Sequence, residues 1–308
     1  MEELVTIACG DARADVAPAV GGAVAAFRWR GVDVLRPTPA EALAARNVRA
    51  FASFPLVPFS NRIAEARLAF GGQIHVLGRP YADQPHAIHG VGLRRPWRVA
   101  SRAEDRVTLA LDYDPDGDEA RGWPFAFRAL QSLDVGERSG VAVLAMSLAI
   151  ENCDARPFPF GLGWHPYFPR TPATVLGLRA DGMWETGPTL LPVRRVGVPA
   201  GLSFDPPRAI GETTLDTVFT GFDGAVRLDD AQRGLRTTVE GDTATGFLVV
   251  YVPPGRDFLA LEPVTHMTDA FNRHARGESG TGTRTLPPGA SFSCTMRIVA
   301  QTLGGTAA

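Results

Sequence analysis

Lysine is missing from this 308-residue sequence, and all 31 of its basic side chains are arginine. That absence excludes Schiff-base catalysis through a lysine amine and a Walker-type phosphate loop, both of which need the ammonium group. A bias in genome composition is the simplest cause. Cysteine is scarce: Cys9, Cys153 and Cys294 lie far apart, match no zinc spacing and are odd in number. A disulfide framework is therefore excluded, and three buried thiols are expected. Charge of one sign is also lacking, because 31 basic residues against 33 acidic ones leave a net charge of -2, no footprint for nucleic acid. The opening MEELVTIACGDARADV has early acids and no long apolar run, so neither a signal peptide nor a membrane anchor is expected, and the protein is assigned to the cytoplasm. With 45% hydrophobic and 21% charged residues, what remains is a globular, soluble class whose expected partner is a small molecule.

Long helical stretches are absent as well. Glycine (33) and proline (25) are scattered evenly and punctuate the chain too often for them. Period two dominates instead, in RVTLALDYD (106–114), VAVLAMSLAI (141–150), GFLVVYV (246–252) and FSCTMRIVAQT (292–302), which predicts strands. In ARLAFGGQIHVL (66–77) two such runs flank Gly71-Gly72, a pair suited to the positive φ of a two-residue hairpin turn. A short helix is expected within 38–47. The stretch 277–291 reads as an exposed loop before the last strand, and GGTAA as a frayed tail. Strands with little helix and no alternation of the two point to an all-β protein, a large antiparallel β-sandwich, and no linker or repeat divides it. The expectation is one domain over 1–308, long enough to bury roughly three quarters of its unfolded surface.

Four segments gather polar groups beside proline, glycine or aromatic residues. In FPLVPFSNRIAEARLAF (54–70), Asn61 and Arg62 follow an apolar run; they could hydrogen-bond hydroxyls or form a solvated pair at a turn. In PHAIHGVGLRRPW (85–97), His86 and His89 could hold a metal, but no further ligand lies nearby in sequence, so no metal is assigned. Residues three apart on a strand face opposite sides, so at most one of the two points into a site. In GWHPYFP (163–169), His165 is either a satisfied core histidine or a proton carrier among aromatic faces suited to a sugar ring. In FLALEPVTHMTDAFN (258–272), Glu262 ends an apolar run and must be paired, exposed at a rim, or functional. Asp216 in TTLDTVFTGF (213–222) is a similar case, with an ordinary turn aspartate as the competing reading.

Taken together, PFSNRI (58–63), IHG followed by RRPW (88–97), GWHPYFP, LDTVF (215–219) and EPVTHMTDAFN (262–272) resemble the aldose 1-epimerase, or galactose mutarotase-like, family, in that family's order. The resemblance implies its large β-sandwich, no cofactor, and a sugar substrate. It also implies roles: His165 as the general acid at the ring oxygen, Glu262 as the base on the anomeric hydroxyl, and Asn61, Arg62, His89 and Asp216 as hydrogen-bonding partners of the sugar. Trp164 and Tyr167 would shape the pocket floor. His266 and Met267 depart from the family's motif, standing where prolines are common.

Interconversion of α and β anomers needs a base on one oxygen and an acid on another bonded to the same carbon, with side-chain atoms within about 2.6–3.2 Å of them. A neighbouring Glu262 carboxylate would favour protonated His165. Within the family, a hexose-6-phosphate mutarotase is the alternative, with Arg94 and Arg95 as candidate phosphate contacts. Outside it, a carbohydrate-binding or sensing domain without turnover is the alternative, which the pairing of His165 with Glu262 argues against. A glycosidase would need a second carboxylate, and no partner acid stands out beside Glu262.

Overall fold

The computed structural model describes residues 4–81, 85–116 and 121–304. Strand Val141–Asn152 alternates half-buried and buried positions along its whole length, as period two requires, and pairs with Ser291–Thr302 so that Leu144 meets Ile298, Met146 meets Met296 and Leu148 meets Cys294. Each such apolar side chain stabilises the fold by about 1.5–3 kcal/mol relative to exposure. These two strands sit centrally in an antiparallel nine-stranded sheet that also contains Arg106–Tyr113 and Phe127–Arg138. Four more strands, from Val5–Cys9 to Val32–Asp33, form a separate antiparallel sheet at the N-terminal end.

The second large sheet has eight strands. Its middle is Leu215–Thr220, Phe247–Val252 and Phe258–Val264, and the short strands Gly163–Trp164, Tyr167–Pro169 and Pro55–Leu56 complete one side. Leu248, Val250, Leu259 and Leu261 are fully buried and belong to the same apolar cluster as Leu144 and Leu148, so the two large sheets share one core. The architecture is the antiparallel β-sandwich expected from the alternation.

Local expectations hold in several places. Arg67–Phe70 and Gln73–Val76 form a hairpin across Gly71 (φ 60°) and Gly72 (φ 74°), both left-handed as a primed turn demands. The short helix is Ala40–Ala44. Other expectations need correction. The stretch 277–291 is not simply an exposed loop: Arg284–Leu286 pairs with Phe158–Phe160, and Thr281 and Leu286 are buried. A second helix, Ala270–Ala275, was not anticipated, because six residues are too few to display a helical period. Of the three thiols only Cys294 is buried; Cys153, just past strand Val141–Asn152, is exposed, and Cys9, at the end of Val5–Cys9, is half-buried. The tail beyond Gly304 lies outside the described residues. No helix among the described residues is long and apolar enough to cross a membrane.

Candidate active site

Strand register brings the candidate residues together. Asp216 lies opposite Tyr251, Tyr251 opposite Ala260, and Ala260 opposite Tyr167 on the next strand. Cross-strand partners share a face, and so do residues two apart, so Asp216, Tyr251, Tyr167 and Glu262 all project from one side of the sheet. Gly163 is paired with Val264, two residues beyond Glu262, which puts Gly163 and then His165 on that side too. This face floors a cleft of about 420 Å³, bounded at its edge by Arg62 of the short strand Arg62–Ile63, by Asn61 just before it and by His89 just after its partner strand Ala87–Ile88.

Inside the cleft, His165 Nε2 lies 3.2 Å from Glu262 Oε1. Arg62 donates to Asn61 Oδ1 at 3.0 Å and to Asp216 Oδ2 at 3.3 Å, so one guanidinium orients an amide and a carboxylate together. The Asn61 backbone N–H donates to His89 Nδ1 at 3.2 Å. In the neutral ring that bond leaves the proton on Nε2, which makes His89 a hydrogen-bond donor. The His165 ring is stacked obliquely on Tyr167 and Phe54, with centroids 4.5 and 4.9 Å away. Eight buried side-chain polar atoms among the described residues have no hydrogen-bond partner, and three of them, Arg62 Nε, His165 Nδ1 and Glu262 Oε2, belong to cleft residues. A buried polar atom left unpaired costs about 1–3 kcal/mol, so their clustering here marks groups held for a ligand rather than for the fold.

The edge of the cleft is strained and braced. Asn61 and His89 have left-handed backbones, φ 53° and 61°, a costly conformation for residues with side chains. Gly90 follows at φ 69°, where a Cβ would come within 2.2 Å of the Val57 carbonyl oxygen, so only glycine fits. Bracing comes from the segment after Glu262. His266 accepts from the Ser60 N–H at 3.2 Å and donates from Nδ1 to the Met267 carbonyl at 2.7 Å. Asp269 accepts from the Ala64 N–H at 3.0 Å, and its own N–H donates to the Arg62 carbonyl at 2.8 Å. The His266 departure thus supports the loop that carries Asn61 and Arg62.

Burial controls the protonation of the site. Desolvation pushes His165 down to about 3 and raises Glu262 well above its ordinary value, with Asp216 adding to the rise and Arg62 opposing it. Desolvation, then His165 and Arg62, hold His89 well below its ordinary value. Glu262 was expected to hold His165 as imidazolium. Burial acts against this: desolvation favours the neutral form of each group, a protonated carboxyl beside a neutral imidazole.

The sequence model of the aldose 1-epimerase family matches residues 3–299, nearly the whole chain. The chain belongs to the aldose 1-epimerase family. Uncharacterized protein YphB of Escherichia coli K12 is 28% identical over 304 residues, covering 96% of this chain and 98% of its own length. A crystal structure of an Escherichia coli K12 protein provisionally assigned as an aldose 1-epimerase aligns with a TM-score of 0.86 at 26% identity, over 98% of this chain and 99% of that one. A galactose mutarotase-like protein from Clostridium acetobutylicum shares the fold, with a TM-score of 0.84 at 19% identity over 97% and 95% of the two chains.

For this family member, the cleft gathers seven of the eight residues singled out in the sequence: Asn61, Arg62, His89, His165, Tyr167, Asp216 and Glu262. Trp164 is the exception. One residue from His165 along the strand, it points to the opposite face, 1% exposed, and donates to Gln131 Oε1 at 3.0 Å. It is a core residue, not the pocket floor. Arg94 donates at 3.4 Å to the Ile88 carbonyl and Arg95 lies 5.8 Å from the Tyr113 ring centroid; neither lines the cleft, so they do not serve as the phosphate contacts suggested by their position. His86 accepts from the Glu65 N–H at 3.0 Å and donates to the Thr189 carbonyl at 2.9 Å. With both ring nitrogens committed to backbone, it has none left for a metal. Sequence reasoning missed Arg49, Phe54, Ile88, Leu190 and Tyr251 in the lining. Tyr251 could have been found only through the pairing that sets it against Asp216, because GFLVVYV alone does not say which face is wet.

Proposed function

We propose that the protein is a mutarotase that interconverts the α and β anomers of an aldose, with no cofactor. The observation that carries this reading is the 3.2 Å approach of His165 Nε2 to Glu262 Oε1 in a cleft lined by hydrogen-bonding side chains. Two oxygens on one anomeric carbon call for two proton-handling atoms set about this close.

Burial favours the proton on Glu262 in the resting pair, and its passage to His165 gives the carboxylate and imidazolium that ring opening uses. Arg62 supports that carboxylate electrostatically. Glu262 then takes the anomeric hydroxyl proton while His165 delivers one to the ring oxygen. The open aldehyde turns about its C1–C2 bond, and closure on the other face reverses both transfers. Asn61, Arg62, His89 and Asp216 hold the sugar hydroxyls, and Tyr167 offers a flat face to the ring. The test is the optical rotation of freshly dissolved α-glucose and α-galactose with and without protein. Relaxation no faster than in buffer, for every aldose tried, would remove the proposal.

A further inference from the structure

In strand Phe127–Arg138 the inward positions carry Phe127, Ala129, Leu133 and Val135, and in the middle of them stands Gln131, 1% exposed. An amide at that depth is tolerated when both its ends are hydrogen-bonded. Gln131 Oε1 accepts from the Trp164 indole N–H at 3.0 Å, and Nε2 donates to the Gly22 carbonyl at 2.8 Å. An indole N–H can only donate and a carbonyl only accept, so the partners fix which way the amide lies. The turn at Gly22 closes directly onto this amide: a Cβ there would come within 3.2 Å of Gln131 Nε2.

Both hydrogen bonds lead to His165. Trp164 precedes it in the chain and belongs to Gly163–Trp164, a strand of two residues with little ladder of its own. Gly22 lies two residues before Val24, which exchanges backbone hydrogen bonds of 2.8 and 3.2 Å with Ser53. The next residue, Phe54, accepts the His165 N–H at its carbonyl, at 3.0 Å, and sets its ring 4.9 Å from the imidazole. His165 itself has little else to orient it, because no other described residue hydrogen-bonds its buried Nδ1. We propose that Gln131 is a positioning residue for His165. From the core it anchors both Trp164 and the segment that carries Phe54, and so holds the imidazole at the distance from Glu262 that proton transfer requires. The proposal rests on the mutarotase reading for its catalytic consequence, whereas the anchoring is independent of it.

The experiment measures mutarotation of α-glucose and α-galactose by polarimetry in the wild type, Gln131→Leu, Trp164→Phe and Leu148→Ala, with Gln131→Leu also combined with His165→Asn. The ring signal of His165, identified by its loss in His165→Asn, is followed in parallel by NMR. Leu148 lies opposite Gln131 across the strand pair, so Leu148→Ala removes packing at the same level and leaves both hydrogen bonds in place. A displacement of about 1 Å in a reacting group can cost about 10²-fold, so kcat should fall about 10- to 100-fold in Gln131→Leu with KM within about threefold. Trp164→Phe, which cuts one of the two anchors, should lower kcat about fivefold, and Leu148→Ala should leave it within about twofold. On top of His165→Asn, Gln131→Leu should change the residual kcat by less than about twofold, since the residue it positions is gone. The His165 signal should move or split in Gln131→Leu and hold its place in Leu148→Ala. Unchanged kcat in Gln131→Leu, an equal fall in Leu148→Ala, or a full further loss on top of His165→Asn would overturn the proposal. If Gln131→Leu does not fold, Trp164→Phe decides by the same readings. If the wild type turns over no sugar, the mutarotase reading fails and the NMR signal decides the anchoring: displacement in Gln131→Leu and not in Leu148→Ala supports it, and the same signal in both overturns it.

Discussion

Strand Val141–Asn152 runs for twelve residues with inward and outward positions alternating throughout, whereas the cleft is walled by strands of two, three and seven residues such as Gly163–Trp164, Tyr167–Pro169 and Phe258–Val264. The contrast extends to the backbone. Three cleft residues with side chains, Asn61, His89 and Leu190, hold φ between 53° and 61°, and no residue of Val141–Asn152 or Ser291–Thr302 is left-handed. Left-handed residues of this kind cost of order 1–3 kcal/mol each. The regular sheet therefore supplies stability that the irregular one consumes in placing side chains, and damage to each should be read by a different measurement.

The largest expected effect is on the cleft side. Glu262→Gln keeps length and an acceptor oxygen but cannot take the anomeric proton, so turnover should fall about 10³-fold, equivalent to roughly 4 kcal/mol at the transition state. Because the native carboxyl is already held neutral by burial, the amide should leave the melting temperature near that of wild type. Polarimetry and calorimetric titration of one sample check both halves; retained turnover would remove Glu262 as the base. In the regular sheet the pattern should invert. Leu148 is fully buried against Cys294, and Leu148→Ala should cost about 2–5 kcal/mol of unfolding free energy in a urea titration while kcat per folded molecule stays within about twofold. A large fall in kcat at full folding would mean that the two sheets are not energetically separate.

The pH profile sharpens the same comparison. An unperturbed histidine would gain a proton as pH falls through about 6.5, and activity would change there. His165 is held at about 3 by burial, so acidification from 7 to about 4.5 should leave the pair with its single proton and kcat/KM nearly flat. A second proton enters only as pH falls toward about 3. On the alkaline side, activity should decline as pH rises through the elevated value of Glu262, where the pair's one proton is lost. A break near 6.5 would show His165 titrating as though solvated.

How far the sequence could be read follows the same division. Period two located the strands of the regular sheet, where one face is core and the other is not. Glu262 stood out because a titratable group at the end of an apolar run is conspicuous on any face, and His165 because its ring is set among aromatic and proline neighbours. Such local reading failed for Trp164, which lies beside His165 in sequence and on the other side of the sheet in space, and for Tyr251, whose place depends on pairing with Asp216. Arg49 was illegible for a related reason: it lies in a short turn, Val48–Ala50, with no period to orient it. The pull of burial toward neutral forms of His165 and Glu262 was illegible, because desolvation is a property of the folded cleft, which no linear motif displays.

The smallest expected effect concerns His86, which ties together two loops beside the cleft. The ring joins the Glu65 N–H to the Thr189 carbonyl, one residue before Leu190, and Leu190 lines the cleft from a turn closed by the Leu190 N–H to the Gly187 carbonyl at 2.9 Å. His86→Ala removes both bonds and leaves two backbone groups without their partner, so the turn should lose about 1–3 kcal/mol of local support. The reacting pair is untouched, because neither His165 nor Glu262 contacts this turn through a hydrogen bond in the described structure. KM should therefore rise about three- to tenfold with kcat changed less than about twofold, and His86→Gln, whose amide both donates and accepts, should recover part of the loss. A fall in kcat with unchanged KM would mean that the turn steers the chemistry rather than the fit of the sugar. No change in either would show that Leu190 holds its place without the histidine.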